Sequence, residues 1–425
     1  MKLLQIASGD FFSTYGGGQV YVKNIVDEMI RQRLDVAVLS FVNKEICITQ
    51  ADYNRIPLWE IGKQANVSDI ENLLLSISPD IIHAHSQKAL FSALGQKLHI
   101  PVVITAHHGG ILCPTGTLMN ANNCICKTTL SHNDCLKCSL KNIRTGSLWY
   151  PFMKLLPVKN YIRLGNFLQK KRFIPFVTPI GSAALSIENK MTEWQTICDK
   201  STAVIAPSNA IAEAMRRNGL SQEKITVVPH GIPQTTPIAP YDSKKEKIRF
   251  FYVGRICHIK GIHILLEAFN GIKHNDKAEL HIIGGAGNKS EERYMLSLRN
   301  RYKSENIIWH GKVPAEEIFN TINEYDIMVH PTICLEIFGL NISEALAMNK
   351  PVLATRCGGS EMQIKDGVNG WLIPTNDAIS LRNKIDEIAT KGININTCSL
   401  HENVISIDKH VESILNVYNK LLNRP

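Results

Sequence analysis

Short apolar runs rich in β-branched and aromatic residues alternate along this chain with stretches whose apolar positions recur at helical spacing. The alternation occurs in two blocks. In the first, strands are expected at Lys2–Ala7, Val36–Ser40, Ile81–Ala84, Val102–Ala106 and Ala203–Ala206, with a glycine turn, Gly16-Gly17-Gly18, and a helix around Val20–Arg33 after the first strand. In the second, strands are expected at Arg249–Gly254, Glu279–Ile283, Ile307–His310, Ile327–His330 and Pro351–Thr355, with helices such as Gly261–Phe269 and Ala315–Asn323 between them. Continuous apolar strands separated by helices mark parallel sheets covered on both faces, so the pattern predicts an α/β protein of two Rossmann-like, doubly wound domains. The boundaries read as 1–228, a proline-rich linker 229–246, and 247–405. Residues 406–425 hold an amphipathic helix, with Val411, Ile414, Leu415, Tyr418 and Leu421 on one face, expected to cross back to the first domain. Ligands of open parallel sheets bind beyond the carboxyl ends of the strands, so two such sheets facing each other would form a central cleft with a site on each wall.

Composition narrows the class. With 44% hydrophobic and 20% charged residues in a chain of 425, neither disorder nor a fibrous protein is implied. No apolar run reaches the length of a membrane span, and the first residues read as a β-strand, which points to a cytoplasmic protein. The net charge of +9 is unevenly placed. Between Asp134 and Glu188 there is no acidic residue, but there are nine cations: Lys137, Lys141, Arg144, Lys154, Lys159, Arg163, Lys170, Lys171 and Arg172. Trp149, Tyr150, Phe152, Leu155, Leu156, Tyr161 and Phe167 are interleaved with them. This basic segment, about 141–187, suits an anionic membrane surface on the inner face of the cell membrane; no nucleic-acid motif accompanies it.

Four motifs carry candidate chemistry. Glu336-Ile337-Phe338-Gly339-Leu340 leads from a strand into a helix bearing Glu344. Gly339 lets backbone approach a ligand, and amides near Phe338, Gly339 and Leu340 suit an anion; ordinary acids at a helix start would read the same way in isolation. Gly254-Arg255, followed by Lys260-Gly261, puts two cations where they can clamp a diphosphate, although surface Lys and Arg are usually just solvated. Gly17 and Gly18 form a turn that accepts phosphate or sugar, or simply turns the chain. His107 stands at a strand's carboxyl end.

Together these motifs resemble retaining glycosyltransferases of family 4, also grouped as glycosyl transferases group 1, which have the GT-B fold. The resemblance spans nearly the whole chain. It includes the acid–seven residues–acid spacing of Glu336 and Glu344, the Arg255/Lys260 pair, Ile283-Gly284-Gly285-Ala286-Gly287, Gly311-Lys312-Val313, Gly358-Gly359-Ser360-Glu361 and Gly367-Val368-Asn369-Gly370. Val228-Pro229-His230-Gly231 matches an interdomain element in which Asn is usual where His230 stands.

The resemblance implies a retaining, metal-independent transferase of the hexosyltransferase type, acting from a UDP- or GDP-type sugar to a glycan or lipid-linked glycan of surface polysaccharide or lipopolysaccharide. Glu336 would bind donor-sugar hydroxyls, and Glu344 the ribose. Arg255 and Lys260 would stabilise the leaving diphosphate. Gly254, Gly285, Val313, Phe338, Gly339 and Leu340 would line the donor, and His107, Gly17 and Gly18 would approach it from the other domain. Another nucleotide-sugar activity (epimerase or sugar-phosphate transferase) and a non-catalytic glycan-binding protein remain alternatives.

Five of the eleven cysteines crowd into an insert, about 109–140. Cys135 and Cys138 form half of a zinc-type spacing. A subset of bacterial family 4 enzymes is similar here, which implies Cys113, Cys124, Cys135 and Cys138 as ligands of a structural zinc. Cys126 makes that set ambiguous, and a disulfide, an iron–sulfur cluster or plain thiols are the other readings.

Overall fold

The computed structural model describes residues 1–9, 11–12, 17–141, 143, 146–170, 178–234 and 246–422. Gly16, Arg144, Lys171, Arg172 and most of the expected linker (235–245) therefore lie outside the described residues. The chain divides into two units. The first contains Met1–Asn122, Cys126–Val228 and the chain from Val411 onward; the second contains Pro229–His410 with the short piece Asn123–Ile125.

The sheet of the first unit has eight strands: β1 (Lys2–Ser8), β2 (Asp35–Phe41), β3 (Ile48–Tyr53), β4 (Ile56–Ile61), β5 (Ile81–Ala84), β6 (Val102–Thr105), β7 (Ala203–Ala206) and β8 (Ile225–Val227). Their order is β3-β4-β2-β1-β5-β6-β7-β8. Every pairing is parallel except β3 with β4. The strand order reverses between β1 and β5, so the loops after these strands diverge and leave a crevice. The helix Ile407–Leu422 belongs to this unit from Val411 on, and Tyr418 is fully buried there, accepting a hydrogen bond from Gln5 Nε2 at 3.3 Å.

The sheet of the second unit has six parallel strands: β9 (Ile248–Val253), β10 (Ala278–Ile283), β11 (Ile307–Gly311), β12 (Ile327–His330), β13 (Val352–Thr355) and β14 (Gly370–Ile373). Their order is β11-β10-β9-β12-β13-β14, the dinucleotide-fold arrangement with its switch point between β9 and β12. Alternation along the strands builds a core on each face. Phe250, Tyr252, Leu280, Ile282 and Val329 enter one cluster; Phe251, Val253, Ile283 and Met328 enter the other. A sheet buried on both faces needs apolar residues at every position, which is why these strands read as unbroken apolar runs.

Four strands escape the sequence pattern. β3 and β4 form a hairpin turned at Asn54 and Arg55, with φ of 50° and 71°, a left-handed pair without the glycine that usually announces it. β3 is largely exposed and carries polar residues. β8 and β14 are short edge strands of three and four residues.

The basic segment is helical where described: Gly146–Leu155, Val158–Lys170 and Thr178–Lys200. Met153, Ala183, Ala184 and Ile187 bury one side of these helices against Leu136 and Leu140. Among the described residues no helix is long and apolar enough to cross a membrane.

Candidate active site

The second unit gathers its expected site residues at the β9/β12 switch point. β9 is followed by Gly254, whose φ of 150° few residues other than glycine adopt, and the chain then runs through Arg255 to Lys260 before the helix Ile262–Asn270. β12 ends at His330, and its loop carries Thr332, Cys334 and Glu336 into the helix Leu340–Ala347. Two devices lock these loops together. Ile333 N donates to Ile259 O at 3.0 Å, and Gly261 (φ 70°) lies so close to Pro331 that a Cβ would sit 1.9 Å from its carbonyl oxygen.

The lock brings Lys260 Nζ to within 2.5 Å of Glu336 Oε2. The same oxygen accepts from Thr332 Oγ1 at 3.3 Å and lies 3.4 Å from His330 Nε2. Side-chain exposure is 26% for Lys260 and 14% for Glu336, so the pair is shielded from water. Burial alone would push the Glu336 carboxyl up. The Lys260 charge and a hydrogen bond from His330 overcome that and hold it well below the usual carboxylate range. Burial likewise opposes the Lys260 ammonium, but the Glu336 charge raises it above its ordinary value. Both groups are therefore charged across the physiological range.

Glu344 differs. Half-buried on the helix, it has its carboxyl pushed up to about 7 by burial alone. Two carboxylates eight residues apart are thus chemically unlike: Glu336 only accepts hydrogen bonds, and Glu344 near neutrality can also donate one.

The loop between them is held from β13. Glu336 N donates to Cys357 O at 2.7 Å, and Gly359 N donates to Glu336 O at 2.9 Å. Gln363 Nε2 donates to Phe338 O at 2.5 Å and Gly339 O at 3.2 Å, while Ser343 Oγ donates to Gln363 Oε1 at 2.6 Å. A Cβ on Gly359 would meet the Phe338 backbone at 2.5–2.7 Å, so the close approach needs glycine. Gly339 (φ 87°) starts the helix, with Leu340 its first residue. His230 packs edge-on against Phe338, with ring centroids 5.3 Å apart.

Arg255 is held by Glu291, which accepts two hydrogen bonds from its guanidinium, one of them from Nε at 2.8 Å, and another from Gly287 N at 2.8 Å. Gly284, Gly285 and Gly287 line a cavity of about 460 Å³ together with Asn288, Arg299, Trp309 and Lys312. Val313 follows, partly buried against the second core cluster. Another cavity, about 790 Å³, lies elsewhere, beside Glu246, Trp371 and Lys391.

The first unit brings Gly18 and His107 together at the carboxyl ends of its strands. A Cβ on Gly18 would be 3.8 Å from His107 Cβ, and the rings of Tyr21 and His107 are 4.8 Å apart. Gly17 is exposed beside Gly18 at the start of the helix Gly17–Arg31. His107 Nε2 lies 2.8 Å from His85 Nδ1.

Sequence reasoning missed several of these supports. Glu291, Gln363, Thr332, His330 and His85 are unremarkable along the chain. They become visible only through the topology: His330, Thr332 and His85 sit at or just beyond strand ends, and Glu291 and Gln363 lie on the helices that follow β10 and β13.

The cysteine insert departs from expectation. Cys135 and Cys138 lie one turn apart on the helix His132–Lys141. The Cys135 thiol, pushed up to about 12 mainly by burial, feels Cys113, Cys126 and Cys138 as neighbouring charges. Cys124 is exposed. Among the described residues no set of three or more His, Cys, Asp or Glu side chains could hold a metal ion, so the zinc expectation has no support here.

Two doubly wound units, each with a parallel sheet and a switch point, define the class of α/β proteins with two Rossmann-like domains. The family model described as glycosyl transferases group 1 matches residues 234–403, and that described as glycosyltransferase family 4 matches residues 15–120. The chain belongs to this family of GT-B glycosyltransferases. An Escherichia coli protein named as a colanic acid biosynthesis glycosyltransferase is 25% identical over 45% of this chain and 49% of its own length. The lipopolysaccharide 1,2-N-acetylglucosaminetransferase of Salmonella typhimurium is 26% identical over 41% and 49%. The matched part thus spans about half the length of these curated relatives. Among solved structures, HepE of Anabaena in complex with UDP-glucose shares the fold with a TM-score of 0.65 at 17% identity, covering 98% of this chain and 99% of that one. Sucrose-phosphate synthase from Thermosynechococcus elongatus does so with a TM-score of 0.68 at 16%, covering 99% of each.

The raised Glu344 carboxyl makes a stability prediction. An unfolded Glu loses its proton near pH 4.3, whereas the folded one keeps it to about 7. The fold therefore binds more protons in that window, and its stability falls as pH rises through it. Denaturant unfolding of Glu344→Gln is expected to match wild type at pH 4.5 and to exceed it by roughly 2–3 kcal/mol at pH 8. A difference independent of pH would refute the assignment.

Proposed function

We propose that this protein transfers a hexose-type sugar from a nucleoside-diphosphate sugar to a glycan or lipid-linked glycan acceptor of surface polysaccharide, with retention of anomeric configuration. The observation that carries this reading is the ion pair Lys260–Glu336 at the β9/β12 switch point, beside a glycine-rich loop that opens a cavity. Relatives named for polysaccharide and lipopolysaccharide synthesis support the acceptor class, and a structural neighbour solved with UDP-glucose supports the donor class.

In this reading Lys260 and Arg255 face the diphosphate. Their charges stabilise the negative charge that grows as the glycosidic bond breaks. Glu336 and Glu291 keep the two cations charged and aimed before the donor arrives, so little reorganisation is needed in the transition state. Glu336, acceptor-only, orients hydroxyls of the donor sugar. Glu344, holding a proton near neutrality, both donates to and accepts from the ribose hydroxyls. Backbone of Gly254, Gly285, Val313, Phe338, Gly339 and Leu340 lines the donor. His107 addresses a sugar hydroxyl, and Gly17 and Gly18 leave room for substrate. The acceptor hydroxyl attacks the anomeric carbon, and its proton passes to a phosphate oxygen of the leaving group. Because protein cations neutralise that group, no divalent metal is required.

The exposed helices of the first unit support a membrane-facing role. Leu155, Leu148 and Phe152 are 84%, 73% and 66% exposed, with Trp149 and Phe167 also outward, and Lys154, Lys159 and Arg163 lie exposed among them. Apolar side chains ringed by cations fit an anionic bilayer, where lipid-linked acceptors reside.

A thermal-shift screen of UDP-, GDP- and ADP-sugars, followed by transfer assays with the stabilising donor, tests the chemistry. Nucleoside diphosphate is expected to be released only when a glycan acceptor is added, and release is expected to persist with a chelator present. Lys260→Met and Glu336→Gln are expected to lower transfer by about 100-fold or more. These replacements keep the side-chain volume that alanine would remove; each still leaves its partner's charge unpaired, at a cost of about 3–5 kcal/mol, so folding of each variant is checked by circular dichroism. Full transfer by either variant would overturn the site. Flotation with vesicles containing anionic lipid is expected for wild type and lost on changing Phe152 and Leu155 to Ser; failure of wild type to float would remove the membrane role.

A further inference from the structure

The carboxyl end of the first unit's sheet holds a shielded cation without a carboxylate partner. Lys88 is the first residue of the helix Lys88–Leu98, which follows β5 at the β1/β5 switch point. Its side chain is half-buried, and its Nζ donates to His85 O at 2.5 Å. Among the described residues no carboxylate forms an ion pair with it. Two further nitrogen-bearing side chains share this place. His108 follows β6, the strand beside β5, and its ring accepts at Nδ1 from Gly110 N at 3.0 Å. Lys190 stands on the helix Thr178–Lys200, which packs along the helix Lys88–Leu98. Its Nζ donates to Glu193 Oε2 at 2.5 Å, and Glu193 is 51% exposed.

The three groups act on one another. Burial lowers the Lys88 ammonium to about 8, the Lys190 charge adds to that, and Glu193 opposes it. Burial lowers the His108 imidazole, and the charges of Lys88 and Lys190 lower it further. Two ammonium groups and an imidazole therefore share one largely exposed carboxylate. A cation drawn out of water beside a second cation is opposed twice, by desolvation and by repulsion. The counter-charge missing at Lys88 is what points to a ligand. A phosphate oxygen bound there would supply it, and a phosphate has oxygens enough for several donors at once. The place suits a substrate as well. His107, proposed to address a sugar hydroxyl, directly precedes His108 in the chain. The helix that carries Lys190 also packs against Val158–Lys170 of the basic, membrane-facing segment.

We propose that Lys88, with Lys190 and His108, forms a subsite for a phosphate or diphosphate group of the acceptor, so that the glycan to be extended, free or lipid-linked, carries phosphate next to its acceptor sugar. This deepens the acceptor class proposed above and rests on it. A neutral glycan would leave Lys88 without its counter-charge, whereas a phosphate-bearing one would be held with its sugar near His107.

Inorganic pyrophosphate, titrated calorimetrically into the full-length protein, probes the subsite without any sugar. Pyrophosphate can also meet Arg255 and Lys260, so the parent protein for this titration carries Arg255→Gln and Lys260→Met. The parent is expected to bind pyrophosphate, and added Lys88→Met to weaken binding by about tenfold or more. Lys88→Arg, which keeps the charge, is expected to retain most of the affinity. A folded parent that binds no pyrophosphate, or binding unmoved by Lys88→Met, overturns the subsite. The second measurement needs no donor-site substitution. The acceptor sugar found in the transfer assays is presented free, as its 1-phosphate, and as a lipid diphosphate in vesicles. Wild type is expected to prefer a phosphate-bearing form by about tenfold or more in kcat/KM, and the form preferred tells a free phosphate ester from a lipid-linked one. In Lys88→Met that preference is expected to fall toward one, with donor KM within about twofold of wild type. A wild type indifferent to phosphate, or a variant that keeps the full preference, overturns the proposal. Absence of transfer to every acceptor would instead defeat the functional reading and leave the pyrophosphate result to decide the subsite.

Discussion

The site in the second unit depends on one interaction, the shielded ion pair between Lys260 and Glu336. Neither charge would be stable there alone, because desolvation opposes both. Each is retained through the other. The surrounding backbone is shaped to bring them together: Gly261 permits contact with Pro331, Ile333 bonds Ile259, and the loop bearing Glu336 is clasped by Cys357 and Gly359. The parallel sheet supplies the frame, since β9 and β12 are adjacent in space although nearly eighty residues separate Lys260 from Glu336. In the proposed reading, a diphosphate arriving at such a pair meets a cation already charged and oriented.

The two acids of the motif divide the work through their surroundings. Glu336 has a cation beside it and stays ionised; Glu344 has only burial acting on it and keeps its proton toward neutrality. One sequence motif thus yields an acceptor and a donor–acceptor without any difference in residue type.

Much of the fold was legible because strands buried on both faces must be apolar throughout. Phe250–Val253 and Ile327–Val329 could hardly be anything else. The half-exposed hairpin β3–β4 and the short edge strands were not, since exposure removes the apolar pattern and Asn54-Arg55 lacks the glycine signal. At the site, residues with chemistry of their own stood out: Glu336, Glu344, Arg255, Lys260 and His107. Their supports did not. Glu291, Gln363 and His85 matter only through partners 36, 25 and 22 residues away, distances that nothing in local sequence encodes. The cysteines show the opposite failure. The family resemblance suggested a zinc site there, but among the described residues no set of three or more His, Cys, Asp or Glu side chains could hold a metal ion.

The most direct test is a calorimetric double-mutant cycle on nucleoside diphosphate binding, with UDP and GDP titrated into wild type, Lys260→Met, Glu336→Gln and the double variant. The account predicts that wild type binds at least one of the two, that Lys260→Met weakens this by about tenfold or more, and that the two substitutions are not additive. Folded wild-type protein that binds neither nucleotide, or binding unaffected by Lys260→Met, would contradict it.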